Sequence, residues 1–310
     1  MSLPALHAIR EKFPTAKITV MGGKAVAEIV KLSGFSDELI IVDRVKLRDS
    51  ARIWSIKQIF KIIGDVRGRK FDFVIDIHSL PETNLLGFIS GAKKRLYGNR
   101  ESRSLDSLAN FPAKPPKEDK AKHLTDRYLD ILKSLEIENP KRFVQISPTQ
   151  KELEEVKQIF HNLGISKTKT LVGLFLGAGH PSRRWKLDNF VELANELVKD
   201  TTLQVLVFLG PEEADLIDEV KTKFPKETII IECLTLLQLF AALSFLKVLV
   251  SNDTGPMHLG AIAGASIVLV LDKNAPTSYL PLTDKLDIVS GKEIAEITVE
   301  EVFQATIKSV

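Results

Sequence analysis

Short apolar runs rich in β-branched residues alternate along the chain with longer segments whose apolar residues recur every three or four positions. The short runs predict strands, and the longer segments predict amphipathic helices. This alternation is typical of βα units built around a parallel sheet. Because the pattern runs through both halves of the chain, we predict two successive open α/β domains.

In the first half, the pattern predicts strands at 17–21, 38–43, 71–77 and 95–97, and helices at 4–13, 25–33, 53–66, 80–89 and 123–135. In the second half, it predicts strands at 170–176, 203–209, 228–232, 247–251 and 266–271, and helices at 187–199, 212–223, 236–243 and 256–263. Prolines punctuate a connection at 139–150. We therefore expect domains at 1–148 and 149–295, followed by a C-terminal helix within 296–310.

The composition fits two globular domains and excludes several other classes. Apolar residues make up 44% of the 310 positions and charged residues 27%, which disfavours fibrous and disordered chains. The longest apolar runs fall far short of the ~20 residues that cross a bilayer, and no secretory signal is present at the start, so we expect a cytoplasmic protein. The single cysteine, Cys233, lies in an apolar stretch and is predicted to be a buried, inert thiol.

Charge is distributed unevenly between the two halves. Residues 1–145 carry 27 Lys and Arg against 18 Asp and Glu, whereas the remainder is net acidic. A basic first half favours contact with an anionic partner, although a solvated basic surface explains the same excess. Because aromatic residues are not interleaved with the basic ones, nucleic acid is not the expected partner.

The strongest local signal is the segment SNDTGPMHLGA at 251–261, where a buried strand leads through a polar turn into a helix of small residues. The N-terminus of such a helix offers free N–H groups to a phosphate, Thr254 adds a hydroxyl, and Gly255 allows close approach. The alternative is that Asp253 or Thr254 merely caps the helix. His258, one turn in, is interpreted as a core or supporting residue rather than a catalytic base.

Two further polar loops follow predicted strands of the second half. The first starts at Gly177 and carries Arg183 and Arg184 beside Trp185, and guanidinium groups bind phosphates well. The second contains Glu213, whose carboxylate could accept hydrogen bonds from a ribose, although acidic residues favour any first helical turn. Because the carboxyl ends of parallel strands share one edge, the three loops together predict a nucleotide site.

Other chemistries find less support in the sequence. No G-x-G-x-x-G follows the first predicted strand and no P-loop pattern occurs, which disfavours a nicotinamide dehydrogenase or a P-loop enzyme. The six histidines have no metal-ligand spacing, so no metal site is predicted.

Specific motifs add a family to this interpretation. The run from Asp253 to Leu259 follows the signature D-[ST]-G-x-x-H-L, and segments 71–77 and 90–98 follow a second family stretch. With these motifs the sequence resembles glycosyltransferase family 9, the ADP-heptose:lipopolysaccharide heptosyltransferases, over nearly its whole length. The resemblance implies the GT-B arrangement, two Rossmann-like domains facing across a cleft. It also implies inverting transfer of heptose from ADP-heptose to the inner core of lipopolysaccharide.

The resemblance implies roles for individual residues. Thr254 and Gly255 would hold the nucleotide diphosphate, Asp253 would face the donor sugar, Arg183 would take the place of the family's phosphate-binding lysine, and Glu213 would bind the ribose. No metal or other cofactor is implied. One departure is Leu271-Asp272, where the family usually has Phe-Gly, because a carboxylate near the diphosphate could repel the donor.

The resemblance also concerns the acceptor side. The family begins with a strand and a G-D-x-[LIV] loop whose aspartate is thought to act as the base, and the printed sequence begins just after the matching point. We therefore expect the first domain to lack its initial strand, and we assign no general base. The implied acceptor is an anionic lipid A-core precursor, held by basic residues of the first domain at the inner face of the cytoplasmic membrane; the candidates are Lys93, Lys94, Arg95, Arg100 and Arg103.

Two alternatives stay open at this point. One is a catalytically impaired homologue that binds nucleotide sugars without transferring them. The other is a nucleotide-sugar epimerase of the same architecture, for which the sequence shows no suitable cluster of acid and base groups.

Overall fold

The computed structural model describes residues 1–100 and 104–310. The chain divides into two compact units, Met1–Val144 and Gln145–Val310. Each unit contains parallel strands joined by helices, which confirms the predicted α/β class. Within the described residues, none of the helices is both long and apolar enough to cross a membrane.

In its described residues, the first unit begins with a helix and contains four short strands. Its elements in chain order are α1 (Leu3–Lys12), β1 (Thr19–Gly23), α2 (Ala27–Leu32), β2 (Glu38–Val42), α3 (Arg44–Asp49), α4 (Arg52–Gly68), β3 (Phe73–Asp76), α5 (Pro81–Ile89), β4 (Lys94–Tyr97) and α6 (Leu124–Leu132).

The strands of this unit form two separate parallel pairs, β1 with β2 and β3 with β4. Its hydrophobic core is small and joins α1 and α6 to the β3–β4 pair through Ala5, Ile9, Leu96 and Leu132. Much of the surface of α4 contributes nothing to this core, because Val66 is its sole buried residue.

The second unit contains the larger sheet. Its elements are α7 (Gln150–Asn162), β5 (Thr170–Phe175), α8 (Leu187–Leu197), β6 (Leu203–Leu209), α9 (Ile217–Lys223), β7 (Ile229–Glu232), α10 (Leu236–Leu243), β8 (Val248–Asn252), α11 (Gly255–Ala263), β9 (Ser266–Asp272), β10 (Leu286–Gly291) and α12 (Val299–Ser309).

These six strands form one parallel sheet in the order β10-β9-β8-β5-β6-β7. Successive residues of a strand point to opposite faces, so the sheet has two cores. One face packs Val172, Val250 and Val270 against α8 and α12, and the other packs Leu206, Leu249 and Leu269 against α10 and α11. Burial on both faces explains the near-continuous apolar runs of the central strands.

The structure differs from the sequence-based expectations at several places. Helices α3 and α7 and the edge strand β10 were not predicted. The predicted burial of Cys233 is wrong, because the residue is exposed and free. It follows β7 in a left-handed conformation with φ of 62°, so the chain leaves the sheet there and carries the side chain out of the core.

Candidate functional site

The three polar loops of the second unit follow adjacent strands. Strand β5 lies between β6 and β8 in the sheet. From β5 the chain continues to β6 on one side, whereas β8 is followed by β9 on the other side, so the strand order reverses between β5 and β8. Open parallel sheets bind ligands at this reversal, outside the carboxyl ends of the strands. The loops after β5, β6 and β8 therefore meet where a ligand is expected.

Helix α11 begins at this edge with Thr254 as its N-cap residue. Thr254 has extended backbone angles, and in the described part of the chain its side chain makes no capping hydrogen bond. Gly255 is exposed, and Pro256 occupies a position that needs no N–H donor. The first N–H groups of α11 and the positive end of its dipole are thus presented to the site.

Arg183 and Asp253 pair across two loops. The Nη1 atom of Arg183 lies 3.1 Å from Oδ2 of Asp253. The arginine side chain is still about half exposed, at 52%, and a guanidinium group has five N–H donors, so most of them stay available to a phosphate. The structure thus brings together the predicted phosphate ligand and the predicted sugar-facing residue.

Asn252 joins the loop after β5 to the end of β8, and its sequence pattern had predicted no role for it. It is fully buried; its Oδ1 accepts the Trp185 N–H at 2.9 Å, and its Nδ2 donates to the Leu176 carbonyl at 2.9 Å. Asn252 at the end of a buried strand was the available signal, since a buried amide must be paired.

Trp185 anchors the arginine-bearing loop and does not face a ligand. Its indole is completely buried, donates from Nε1 to the Ile297 carbonyl at 2.9 Å, and packs edge-on against Phe190. With its backbone N–H held by Asn252, the residue is fixed at both ends. Arg183 and Arg184 therefore project from a rigid base.

Glu213 is buried, with 3% of its surface exposed, and accepts the Gly210 N–H through Oε2 at 2.9 Å. A Cβ atom built on Gly177 would clash with its other carboxylate oxygen, Oε1, and with the Phe175 ring, so a larger residue at 177 would displace Glu213. Burial raises the pKa of the Glu213 carboxyl, while the Gly210 hydrogen bond and the nearby Arg184 act in the opposite direction. Gly177 and Glu213, two predicted site residues, are thus in direct contact.

Beside these loops lies an open pocket of about 440 Å³. Ser182 lines it from the arginine-bearing loop, and Asp272, Asn274, Lys292 and Glu293 line it from the segments after β9 and β10. The Asp272 carboxylate accepts the Asn274 N–H at 2.7 Å. The pocket holds Lys292 as well as Asp272, so it is not uniformly repulsive to an anion.

Two further predicted site residues, His258 and Arg184, are half-buried. His258 is half-buried within α11. Arg184 is half-buried, and its buried Nε atom has no hydrogen-bond partner among the described residues. An unpaired buried donor is costly, which favours a polar ligand near Arg184.

The basic candidates of the first unit do not form one cluster. Lys93 and Lys94 lie at the start of β4, whereas Arg100 follows its end, and the strand between them spans roughly 13 Å. Arg95 donates to the carbonyls of Ala92 and Leu108, and Arg100 pairs with Glu118 at 2.9 Å. The fifth candidate, Arg103, lies outside the described residues.

The fold and the strand-edge site define the class. Similarity to solved structures places the chain among proteins with the fold of GT-B glycosyltransferases. The sequence model of glycosyltransferase family 9 (heptosyltransferase) matches residues 59–305. The chain belongs to glycosyltransferase family 9 and is a glycosyltransferase, which confirms the resemblance.

Two structures illustrate the likeness. A family 9 glycosyltransferase from Veillonella parvula superimposes with a TM-score of 0.85 at 22% identity, covering 99% of this chain and 92% of that one. The E. coli heptosyltransferase WaaC with ADP-2-deoxy-2-fluoro heptose gives 0.76 at 19% identity, covering 100% and 95%. These values confirm the predicted fold class of two Rossmann-like domains.

The structural similarity to nucleotide-sugar epimerases is lower than the similarity to family 9 glycosyltransferases. The UDP-GlcNAc 2-epimerase of Methanocaldococcus jannaschii gives a TM-score of 0.54 at 14% identity, covering 98% of this chain and 88% of that one. This likeness concerns the fold alone.

Among the described residues, no group of three or more His, Cys, Asp or Glu side chains is arranged to hold a metal ion.

Proposed function

We propose that the protein transfers a heptose from ADP-heptose to the inner core of a lipopolysaccharide precursor, with inversion at the anomeric carbon. The observation that carries this proposal is the pairing of Arg183 with Asp253 beside the N-terminus of α11. It puts a cation, a carboxylate and free N–H groups at the reversal of the strand order. A nucleotide diphosphate with an attached sugar carries groups that match each of them.

In this proposal the diphosphate lies against Thr254, Gly255 and the guanidinium of Arg183. Asp253, now paired with Arg183, would turn one carboxylate oxygen to the hydroxyls of the donor sugar when a phosphate replaces it on the arginine. Glu213, next to Gly177, would accept hydrogen bonds from the ribose through the oxygen that Gly210 does not occupy.

The transfer itself is a displacement. The acceptor hydroxyl oxygen forms a bond to the anomeric carbon from the face opposite the diphosphate, while the bond from that carbon to the leaving oxygen breaks and its electron pair goes to ADP. The hydroxyl proton passes to a general base that we do not assign. Arg183 and the α11 dipole stabilise the charge that develops on ADP, so this scheme needs no divalent metal or other cofactor.

The acceptor side of the proposal rests on the charge of the first half. An inner-core lipid A precursor is anionic, and the first unit offers Lys93 and Lys94 as exposed cations. Because the acceptor carries a lipid, the enzyme would work at the inner face of the cytoplasmic membrane.

Calorimetric titration with ADP tests the donor site. Arg183→Ala should weaken ADP binding by about 10- to 100-fold, since a charge-assisted hydrogen bond contributes about 1.5 to 3 kcal/mol. Thr254→Ala combined with it should weaken binding further. Lys308→Ala is a matched control, because it removes an exposed ion pair of the same unit, with Asp287 at 2.9 Å.

The outcomes separate the open alternatives. Unchanged ADP affinity in the double variant would remove the site. Binding of ADP without transfer from ADP-heptose to deacylated core oligosaccharide would identify a catalytically impaired homologue. Preference for UDP over ADP, with interconversion of a UDP-sugar, would support an epimerase.

A further inference from the structure

Helices α3 and α4 carry an exposed apolar surface in the first unit. Five of their large apolar side chains are between 48% and 72% exposed: Val45, Ile53, Ile56, Ile59 and Phe60. We call these five residues and the cations around them the α3–α4 surface. Apolar side chains that are exposed singly are ordinary, but five large ones within residues 45–60 indicate an interaction site.

The exposed residues of α4 form a stripe. Ile53, Ile56 and Phe60 occupy positions i, i+3 and i+7, which lie on one side of an α-helix. The opposite side carries Val66, the buried residue of this helix, and half-buried Gln58 and Ile62. The helix therefore turns one apolar side to the protein and a second apolar side to solvent.

Helix α3 is fixed to the start of α4. The Ser55 hydroxyl donates to the Leu47 carbonyl at 2.8 Å, and the Lys46 ammonium lies 5.1 Å from the centre of the Trp54 ring. Val45 of α3 is thus held near the first turns of α4.

The charge around this surface is predominantly positive. Residues 44–61 include six cations, all exposed, and a single carboxylate: Arg44, Lys46, Arg48, Arg52, Lys57, Lys61 and, as the acid, Asp49. The acid is paired with its neighbour Arg48 at 2.6 Å. Lys57 and Lys61 follow one another by one helical turn and border the stripe.

We propose that the α3–α4 surface docks on an anionic lipid bilayer, with α4 lying in the plane of the interface. Its isoleucines and Phe60 would enter the boundary between headgroups and acyl chains, and its lysines and arginines would contact lipid phosphates. A helix that combines an exposed apolar stripe with flanking cations is typical of interfacial membrane binding. A second copy of the chain is a poorer occupant, because self-association would bring two sets of cations together.

Every residue of this surface belongs to the first unit, whereas the candidate donor site is built from residues of the second unit. The proposal does not depend on the sugar that is transferred. It would stand if the enzyme used another donor, and it would fail without affecting ADP binding.

Co-sedimentation with vesicles tests the docking. The full chain should bind vesicles of phosphatidylglycerol mixed with phosphatidylcholine and leave pure phosphatidylcholine vesicles largely unbound. Ile53→Ser, Ile56→Ser and Phe60→Ser together should reduce the vesicle affinity by tenfold or more, given ~0.8 kcal/mol per buried methylene. Lys57→Gln with Lys61→Gln should reduce it by about 25-fold, or roughly fivefold for each charge near an anionic surface.

Trp54 supplies a second readout. The chain has two tryptophans, and the other, Trp185, is fully buried in the second unit. Binding should shift the tryptophan emission to shorter wavelength, and Trp54→Phe should abolish the shift. The matched control is Ile288→Ser with Ile307→Ser, which replaces exposed isoleucines of the second unit and should bind as the wild type does.

Each contrary result has a definite meaning. Absence of binding to anionic vesicles, or equal binding to neutral ones, would overturn the proposal. An equal loss of vesicle affinity in the control variant would show that vesicle binding does not depend specifically on the α3–α4 surface. If the chain instead forms dimers that the triple serine variant dissociates, and vesicles do not bind, the surface is an interface between copies. Circular dichroism of each variant verifies that the fold is kept.

Discussion

The two units of this glycosyltransferase are built from the same βα elements but differ in how completely they bury their strands. The second unit has one continuous sheet of six strands with a core on each face. The first has two separate pairs of strands and one small core. Parallel strands are stable when they are covered on both faces, so the second unit should be the more stable one.

The two units also differ in how their candidate binding residues are held. The candidate donor site is held by buried groups, among them Asn252, Trp185 and Glu213. Lys93 and Lys94 of the first unit and the α3–α4 surface are exposed. A reacting diphosphate needs fixed partners, whereas a lipid surface or an extended anionic acceptor can be bound by mobile side chains.

The largest effect should follow from removing the anchor of the arginine-bearing loop. Trp185→Ala should lower the free energy of unfolding of the second unit by about 3 to 5 kcal/mol, because it empties a fully buried position and leaves the Ile297 carbonyl unpaired. Urea unfolding followed by circular dichroism measures this loss.

The matched change is Trp54→Ala in the first unit, where the ring is half-buried. Trp54→Ala should lower the free energy of unfolding much less than Trp185→Ala does. If both tryptophan variants were destabilised equally, the proposed contrast between the two units would be wrong.

A second test compares the backbones of the two units by hydrogen exchange. Amides of the central strands β5 and β8 should exchange on the order of 100-fold more slowly than those of β1 and β2, because the opening free energy rises toward the buried centre of a sheet. The sheet-edge strand β10 is an internal control and should exchange faster than β5 and β8. Equal protection of β1 and β5 would contradict the comparison.

The sequence predicted the second unit better than the first for a physical reason. Strands buried on both faces are continuous apolar runs, and β5, β6, β8 and β9 were all found from such runs. Strand β10 was missed because it lies at the edge of the sheet and is partly exposed, so its apolar residues are diluted by Asp287 and Ser290. Helix α7 was missed although Leu153, Val156 and Phe160 form a regular stripe.

The candidate site was predictable as a set of loops but not as a set of contacts. Parallel strands indicate that the loops share an edge, whereas the sheet order, which depends on the whole chain, decides that they follow adjacent strands. The Arg183–Asp253 pair and the bridging role of Asn252 join residues about 70 positions apart. No local pattern encodes such a contact.

The smallest effect concerns the pH dependence that Glu213 gives to the second unit. Burial raises the pKa of its carboxyl above the ordinary value of 4.5. In the window just above that value the folded chain holds a proton that the unfolded chain has lost, so stability falls as pH rises through the window. Glu213→Gln keeps an acceptor for the Gly210 N–H and cannot ionise.

We therefore expect the stability of the wild type relative to Glu213→Gln to be highest below pH 4.5 and to decline as the pH rises above it. Thermal unfolding of both proteins at a series of pH values measures the difference. Glu212→Gln is the matched control, because Glu212 is the neighbouring exposed residue. If the stability of the wild type relative to Glu213→Gln instead rises with pH, the folded state stabilises the charged carboxylate. The hydrogen bond from Gly210 and the charge of Arg184 would then outweigh burial in setting the pKa of the Glu213 carboxyl.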